Sequence, residues 1–270
     1  MMEKPLLDWL QKPDVFSVNK LAAHSDHKYY VSQADYKDEN NSLKQSLNGT
    51  WRFVYAKNYR LLPEKFYTED FDFEGLDFIQ VPGHFQTQGY DQIHYTNTAY
   101  SWDGKDELRP PYVNMEDNPV GVYFKKFEVN ESLAGKPIRI SFQGVETAFY
   151  FWVNGKFAGY AEDAFTPSEF DLTEFLQEGE NTIAVEVFKH SSASWIEDQD
   201  MWRFTGIFRD VYLYALPSAH INDLRIGQDL INGFKDGKLE IDADIIGDLD
   251  GVSVDIKLLD KNGKAVFEDF

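Results

Sequence analysis

Ala148-Phe149-Tyr150-Phe151-Trp152-Val153-Asn154-Gly155-Lys156-Phe157-Ala158-Gly159-Tyr160-Ala161 is two runs of bulky residues joined by Asn-Gly. Asn-Gly tolerates the two successive positive φ angles of a tight hairpin turn, so residues 148–153 and 156–161 are predicted to pair as a β-hairpin. Working outward, strand patterns recur at short spacing. Before the hairpin, residues 137–145 set Ile138, Ile140 and Phe142 on one face, and residues 122–129 form another strand. After it, residues 181–189 set Ile183, Val185 and Val187 on one face. Further out, Asn48-Gly49 launches a strand with Trp51, Phe53 and Tyr55 together; residues 79–85 form a short strand stopped by Pro82-Gly83, and residues 207–214 read as a strand of bulky and β-branched residues. One helical turn is expected over residues 168–176, capped near Ser168 or Asp171 and ended by Gly179. Many short strands separated by turn chemistry predict an all-β sandwich, a jelly roll.

The texture changes after Pro217. Residues 219–226, 237–246 and 252–259 read as lighter Val/Ile strands with Asp, Gly and Lys at the turns. They look like the start of an immunoglobulin-like sandwich, short of its usual seven strands or so. The expected domains are therefore 1–216, an arm plus the jelly roll, and 217–270, an incomplete sandwich within a longer protein. The arm, residues 1–39, is polar and broken by Pro5 and Pro13, with Trp9 expected to dock into a pocket on this chain or a neighbour. His24 and His27 have a spacing open to a metal, but spacing alone carries little.

Composition excludes several classes. Against 46 Asp and Glu stand 26 Lys and Arg, a net charge of −20, so no basic stripe exists to neutralise nucleic-acid phosphates or an anionic membrane. A neutral partner such as a carbohydrate suits this balance. Cysteine is absent, which removes disulfides and thiolate metal sites and fits a reducing compartment. No long apolar run and no signal-peptide pattern occurs, so a cytoplasmic protein is expected.

The stretch Trp195–Tyr212, W-I-E-D-Q-D-M-W-R-F-T-G-I-F-R-D-V-Y, concentrates Glu197, Asp198, Asp200, Asp210, Arg203 and Arg209 among aromatics. Carboxylates beside flat rings on a loop suit a polyol: acceptors for hydroxyls and an apolar surface for the C–H face of a sugar. The same residues equally suit a structural loop in which Asp pairs with Arg. The loop containing Tyr95-Thr96-Asn97-Thr98 is also dense in hydrogen-bonding groups. No Gly-x-Ser-x-Gly, His-Glu-x-x-His or phosphate-binding glycine loop is present. Glu197, Asp198 and Asp200 could supply a glycosidase pair only if two of them flanked a sugar from opposite sides.

Taken in order, Asp8-Trp9, Asn19-Lys20-Leu21-Ala22-Ala23-His24, Leu47-Asn48-Gly49-Thr50-Trp51-Arg52-Phe53, Val81-Pro82, Gly89-Tyr90-Asp91 and Tyr95-Thr96-Asn97 form a series. It continues with Asn118-Pro119-Val120-Gly121, Pro167-Ser168-Glu169-Phe170-Asp171-Leu172, Glu197-Asp198-Gln199-Asp200-Met201-Trp202-Arg203 and Thr205–Val211. The series resembles the N-terminal part of the large β-galactosidases of glycoside hydrolase family two. The resemblance covers almost all of residues 1–216 and is looser beyond. Glu-Asp-Gln-Asp-Met-Trp and Tyr-Thr-Asn favour β-galactosidases over β-glucuronidase or β-mannosidase relatives.

The resemblance implies a jelly-roll, galactose-binding-like sugar-binding domain, followed in the family by an immunoglobulin-like sandwich, a TIM barrel and further sandwiches. The acid/base and nucleophile glutamates belong to the barrel, which this chain lacks, so no catalytic residue is expected here and the chain alone is expected to be inactive. It implies that Asp200 contacts galactosyl hydroxyls and a sodium ion, and that Asn97, with Thr98 beside it, also reaches the sugar. A magnesium ion lies between arm and sandwich in some members. Asp8 matches one ligand position, while Glu162 replaces an amide and Ser192 a carboxylate. The implied parent hydrolyses β-galactosides such as lactose with retention, as a homo-oligomer, its other domains on the same chain or a second subunit. The rival expectation is a stand-alone carbohydrate-binding module or lectin.

Overall fold

The computed structural model describes residues 5–39, 41–100, 102–105 and 107–269; the first four residues of the arm lie outside them. The chain divides into two compact units, Met1–Ala23 with Tyr30–Ala215, and His24–Tyr29 with Leu216–Phe270.

The first unit is an antiparallel β-sandwich. Its larger sheet runs in the order Ser17–Val18, Lys156–Ala161, Ala148–Val153, Glu180–Phe188, Val120–Glu128, Gly49–Ala56, Asp77–Val81. Its smaller sheet runs Ser168–Asp171, Ile138–Phe142, Val211–Ala215, Lys44–Ser46. The Asn154-Gly155 hairpin forms as expected, with φ angles of 49° and 72°. Between the sheets, Phe142 and Phe170 of the smaller pack against Phe149 and Phe151 of the larger, with centroids 4.9 Å apart for Phe142–Phe149 and 4.7 Å for Phe151–Phe170. Edge-on and tilted contacts of this kind add to simple area burial.

The outer face of the larger sheet is covered too. Trp9 and Leu10, from the 3-10 turn Leu7–Gln11, join Tyr150, Trp152, Phe157, Tyr160, Phe124 and Phe188 in a second apolar cluster. Trp9 stacks on Tyr150 at 5.9 Å, and Tyr67 stacks on Trp152 at 5.3 Å. Trp9 thus docks on its own chain. Burial on both faces explains why Ala148–Val153 is apolar at every position instead of alternating.

Two local expectations are corrected. Ser168–Asp171 is a strand paired with Ile138–Phe142, so the expected helical turn is confined to residues 172–176: Asp171 Oδ1 accepts the Thr173 N–H at 2.9 Å, and Leu172 O accepts from Phe175 N–H at 2.8 Å and Leu176 N–H at 3.2 Å. Phe170 is buried between the sheets, and that burial favours extended chain over the local capping signal. Residues 207–214 are not one strand: Gly206–Ile207 pairs with Val145–Glu146, and Val211–Ala215 pairs with the smaller sheet. The break falls at residues 208–210, where Phe208 and Arg209 both donate their N–H groups to Gly144 O.

The second unit holds two hairpins, Ala219–Ile231 with Asp236–Gly247 and Ile256–Leu259 with Ala265–Asp269. Residues 24–29, read from the sequence as part of the first domain, belong here. Ser25 N–H donates to Asp223 Oδ1 at 2.8 Å, and His27 Nε2 lies 2.6 Å from Ile221 O. His27 Nδ1 meets Ser25 Oγ at 2.9 Å. Both its ring nitrogens are engaged by protein groups, which removes it as a ligand paired with His24.

Candidate functional site

Two loops of the sandwich meet as a ribbon. Tyr95–Thr96 pairs antiparallel with Met201–Trp202, with Met201 opposite Thr96 and Trp202 opposite Tyr95. Asp200 immediately precedes Met201 and Asn97 immediately follows Thr96, so both flank the same end of the ribbon, outside its paired residues. Both are exposed, as is Thr98. Asp200 has φ 52°, the left-handed region that Asp enters more readily than most residues. Its Oδ1 accepts a hydrogen bond from Tyr95 Oη at 2.7 Å, which raises the phenol's pKa. The Tyr95 and Trp202 rings lie 5.2 Å apart and are 47% and 49% exposed. An open carboxylate, an amide and two half-exposed rings thus share one surface, the chemistry a sugar ring asks for.

Beneath the ribbon lies Arg203, 1% exposed. Its Nη1 donates to Met201 O at 2.6 Å, and its Nη2 to Thr96 Oγ1 at 2.9 Å and Ala99 O at 3.3 Å. Its backbone N–H donates to His94 O at 2.7 Å. Asp198, also buried, places Oδ2 3.8 Å from Arg203 Nε and 3.6 Å from His190 Nδ1. Removing one partner of such a buried pair typically costs about 3–5 kcal/mol. The Trp195–Tyr212 stretch therefore has two parts. Asp198, Arg203 and Thr205 are buried and hold the loop; Asp200, Met201 and Trp202 are presented to solvent. Thr205 leads into Gly206, at φ 136°, where a Cβ would stand 2.8 Å from both Gly83 O and Tyr123 Oη; only glycine fits that crossing.

The three clustered carboxylates diverge. Glu197 accepts the Ala164 N–H at 2.9 Å, and burial pushes its pKa up to about 7. Asp198 points into the Arg203–His190 group, and Asp200 stands on the ribbon. Each of the three thus has its own set of partners.

Asp8 pairs with Lys12 one helical turn away. The Glu162 oxygens accept from Tyr160 Oη, from Ser191 Oγ and Ser192 Oγ at 3.0 Å, and from Ala193 N–H at 2.9 Å. Burial raises the pKa of Glu162. With its lone pairs spent on protein donors and Asp8 held by an ammonium, this set does not fit a magnesium ion. Among the described residues no group of three His, Cys, Asp or Glu side chains could hold a metal. Asp200 does offer an oxygen that sodium accepts, and no cation pairs with it among the described residues.

Beside the ribbon opens a cleft of about 420 Å³ lined by Asp91, His94, Trp102, Lys105, Lys189 and His190 among others. Lys189 forms an ion pair with Asp91, whose pKa is lowered by that contact against the opposing effect of burial. Burial, then the neighbouring cations, lowers the pKa of His94. Neither Lys189 nor His190 was singled out from the sequence. The available signal was Lys-His directly after the apolar strand Glu180–Phe188. Tyr95, read from the sequence as part of the Tyr95–Thr98 loop, takes its place as the donor to Asp200 Oδ1. Among the described residues no helix is long and apolar enough to cross a membrane.

The chain is 55% identical to a β-galactosidase of Clostridium acetobutylicum over 264 residues, covering 97% of this chain and 29% of that protein. It is 47% identical to a β-galactosidase of Streptococcus thermophilus over 262 residues, covering 97% and 26%. It is also 47% identical to a β-galactosidase large subunit of Leuconostoc lactis over 272 residues, covering 96% and 43%. The chain thus spans less than half the length of these relatives. Among solved structures it is similar to the Bacteroides uniformis β-glucuronidase, with TM-score 0.60 and 20% identity, covering 83% of this chain and 25% of that one. An uncultured Clostridium sp. β-glucuronidase gives TM-score 0.58 and 21% identity, covering 84% and 37%. At such identity the likeness concerns the fold. The model of the glycosyl hydrolases family 2 sugar binding domain matches residues 44–217, the sandwich and the ribbon together, so the chain belongs to that family.

Proposed function

We propose that this chain is the N-terminal sugar-binding part of a β-galactosidase that hydrolyses terminal β-D-galactosides such as lactose with retention. The observation that supports the reading is the ribbon, at one end of which Asp200 and Asn97 both lie exposed, adjoining the paired residues Met201 and Thr96. The names of the relatives supply the reaction. In this reading Asp200 accepts from galactosyl hydroxyls, Asn97 both donates and accepts, and Thr98 borders the same rim. Hydrogen bonds to sugar hydroxyls that strengthen in the transition state lower the barrier in glycosidases. Sodium would take Asp200 as one oxygen ligand, with the others from the rest of the enzyme. The acid/base and nucleophile carboxyls lie outside this chain, on the same polypeptide or on a second subunit, as the name of the Leuconostoc relative suggests. Residues 217–270 begin an immunoglobulin-like domain, and the intact enzyme is a cytoplasmic homo-oligomer.

The test is Asp200→Ala in the intact enzyme. The expected loss in kcat/KM is about a hundredfold or more, the scale of removing one group that meets the transition state. The melting temperature should hardly move, because Asp200 is exposed. Unchanged kcat/KM, or a loss matched by a fall in melting temperature, would overturn the reading. Galactose binding by this chain alone at millimolar or lower concentration, abolished by the same substitution, would instead favour a stand-alone carbohydrate-binding module.

A further inference from the structure

We propose that Arg203 is a positioning residue for substrate: one buried guanidinium locks the Asp200 loop and the Asn97 loop together and so sets the distance between the two sugar contacts. The inference rests on the reading of Asp200 and Asn97 as substrate ligands. Its physical basis is the distribution of the Arg203 hydrogen bonds. Nη1 holds the carbonyl of Met201, the residue immediately after Asp200. Nη2 holds Thr96 Oγ1 and Ala99 O, which bracket Asn97 and Thr98. The backbone N–H of Arg203 holds His94 O on the same loop. The two loops are about a hundred residues apart in sequence, and their ribbon has only two residue pairs. So short a ladder does not define a geometry by itself. The planar fork reaches both strands at once, which a single ammonium cannot do.

Asp198 completes the arrangement from the far side of the guanidinium, 3.8 Å from Nε. It neutralises the buried charge and leaves both Nη atoms to the loops. Asp200 has left-handed backbone and Asn97 lies in an irregular segment, so neither position is held by regular secondary structure. Without the fork, the two side chains would still be present and exposed, but their separation would vary.

The experiment is a double-mutant cycle in the intact enzyme, with Arg203→Lys, Asp200→Ala and the double variant. Arg203→Lys keeps the positive charge beside Asp198 and removes the fork. Misplacing a substrate contact by about 1 Å can cost about a hundredfold, so Arg203→Lys should lower kcat/KM by about ten- to a hundredfold. In the Asp200→Ala background the same change should cost less than about threefold, because residues that act through one another are non-additive. A role in stability alone would lower the melting temperature by the same amount in both backgrounds and leave the losses in kcat/KM independent. Thr96→Val removes one Nη2 acceptor while keeping shape, and should give a smaller loss that is likewise absorbed by Asp200→Ala. It serves if Arg203→Lys fails to fold. Two results overturn the inference with the site reading intact: full additivity of the losses, or wild-type kcat/KM in both Arg203→Lys and Thr96→Val. If Asp200→Ala alone is silent, the site reading fails and the inference falls with it.

Discussion

Glu186 sits where a carboxylate is least expected, and its removal gives the sharpest test of the packing. It lies on Glu180–Phe188, opposite Val122 on one side and Tyr150 on the other, and is 6% exposed. By strand alternation it shares a face with Ala184 and Phe188, the face covered by Trp9 and Leu10. Burial pushes its pKa from 4.5 up to about 8. The folded state therefore keeps the proton over a range where the unfolded chain releases it. The associated stability is complete below the unfolded value, declines as pH rises above it, and is gone once pH has passed through about 8. The gap between 4.5 and about 8, at about 1.4 kcal/mol per pH unit, sets a ceiling near 5 kcal/mol, of which about 3–4 kcal/mol falls between pH 5 and pH 8. Glu186→Gln keeps the shape and cannot ionise. Urea unfolding of both proteins at pH 5, 6, 7 and 8, followed by tryptophan fluorescence, gives the difference directly. Glu146, pushed up to about 8, and Glu197, pushed up to about 7, tilt both curves alike and cancel in that difference. The wild type should lose about 3–4 kcal/mol relative to the variant from pH 5 to pH 8. A difference constant to within about 0.5 kcal/mol across that range would refute the argument, since it would mean that Glu186 reaches water.

Two further substitutions test the layers themselves. Trp9→Ala removes a ring that is 5% exposed and stacked on Tyr150, and should destabilise the first unit by about 3–5 kcal/mol, read as a lower urea midpoint at unchanged slope; a loss under about 1 kcal/mol would mean that the arm is only loosely laid on the sheet. Gly121→Ala would place a Cβ 2.4 Å from the Phe85 ring and 2.5 Å from the Phe53 ring. Overpacking there should cost about 1–3 kcal/mol or more in the same assay, and a neutral result would show that the two rings can yield.

Much of the site was legible because its parts are short and chemically concentrated. Asp200, Met201 and Trp202 stand out as a carboxylate beside apolar side chains, and Asn97 lies in a loop without hydrophobic period. What could not be read was the split within Trp195–Tyr212. Asp198 and Asp200 are the same residue type two positions apart, yet one is buried against Arg203 and the other is solvent-facing. That choice depends on a ribbon partner about a hundred residues earlier. Likewise the capping pattern offered Ser168 or Asp171 as the start of a helical turn; the turn starts at Asp171, because Phe170 is buried in extended chain against Phe142, Phe149 and Phe151.

By itself the sequence determined the all-β class, the Asn154-Gly155 hairpin, the positions of most strands and the family. Turn conformation and side-chain alternation are settled within a few neighbouring residues. Only the tertiary structure decided that the larger sheet is covered on both faces, that Trp9 docks on Tyr150, that Glu186 is buried on the face so covered and that Arg203 joins two distant loops. Each of these is a contact between segments far apart in the chain. Such contacts depend on which surfaces the closed sandwich leaves to be covered, and no local pattern of residues contains that information.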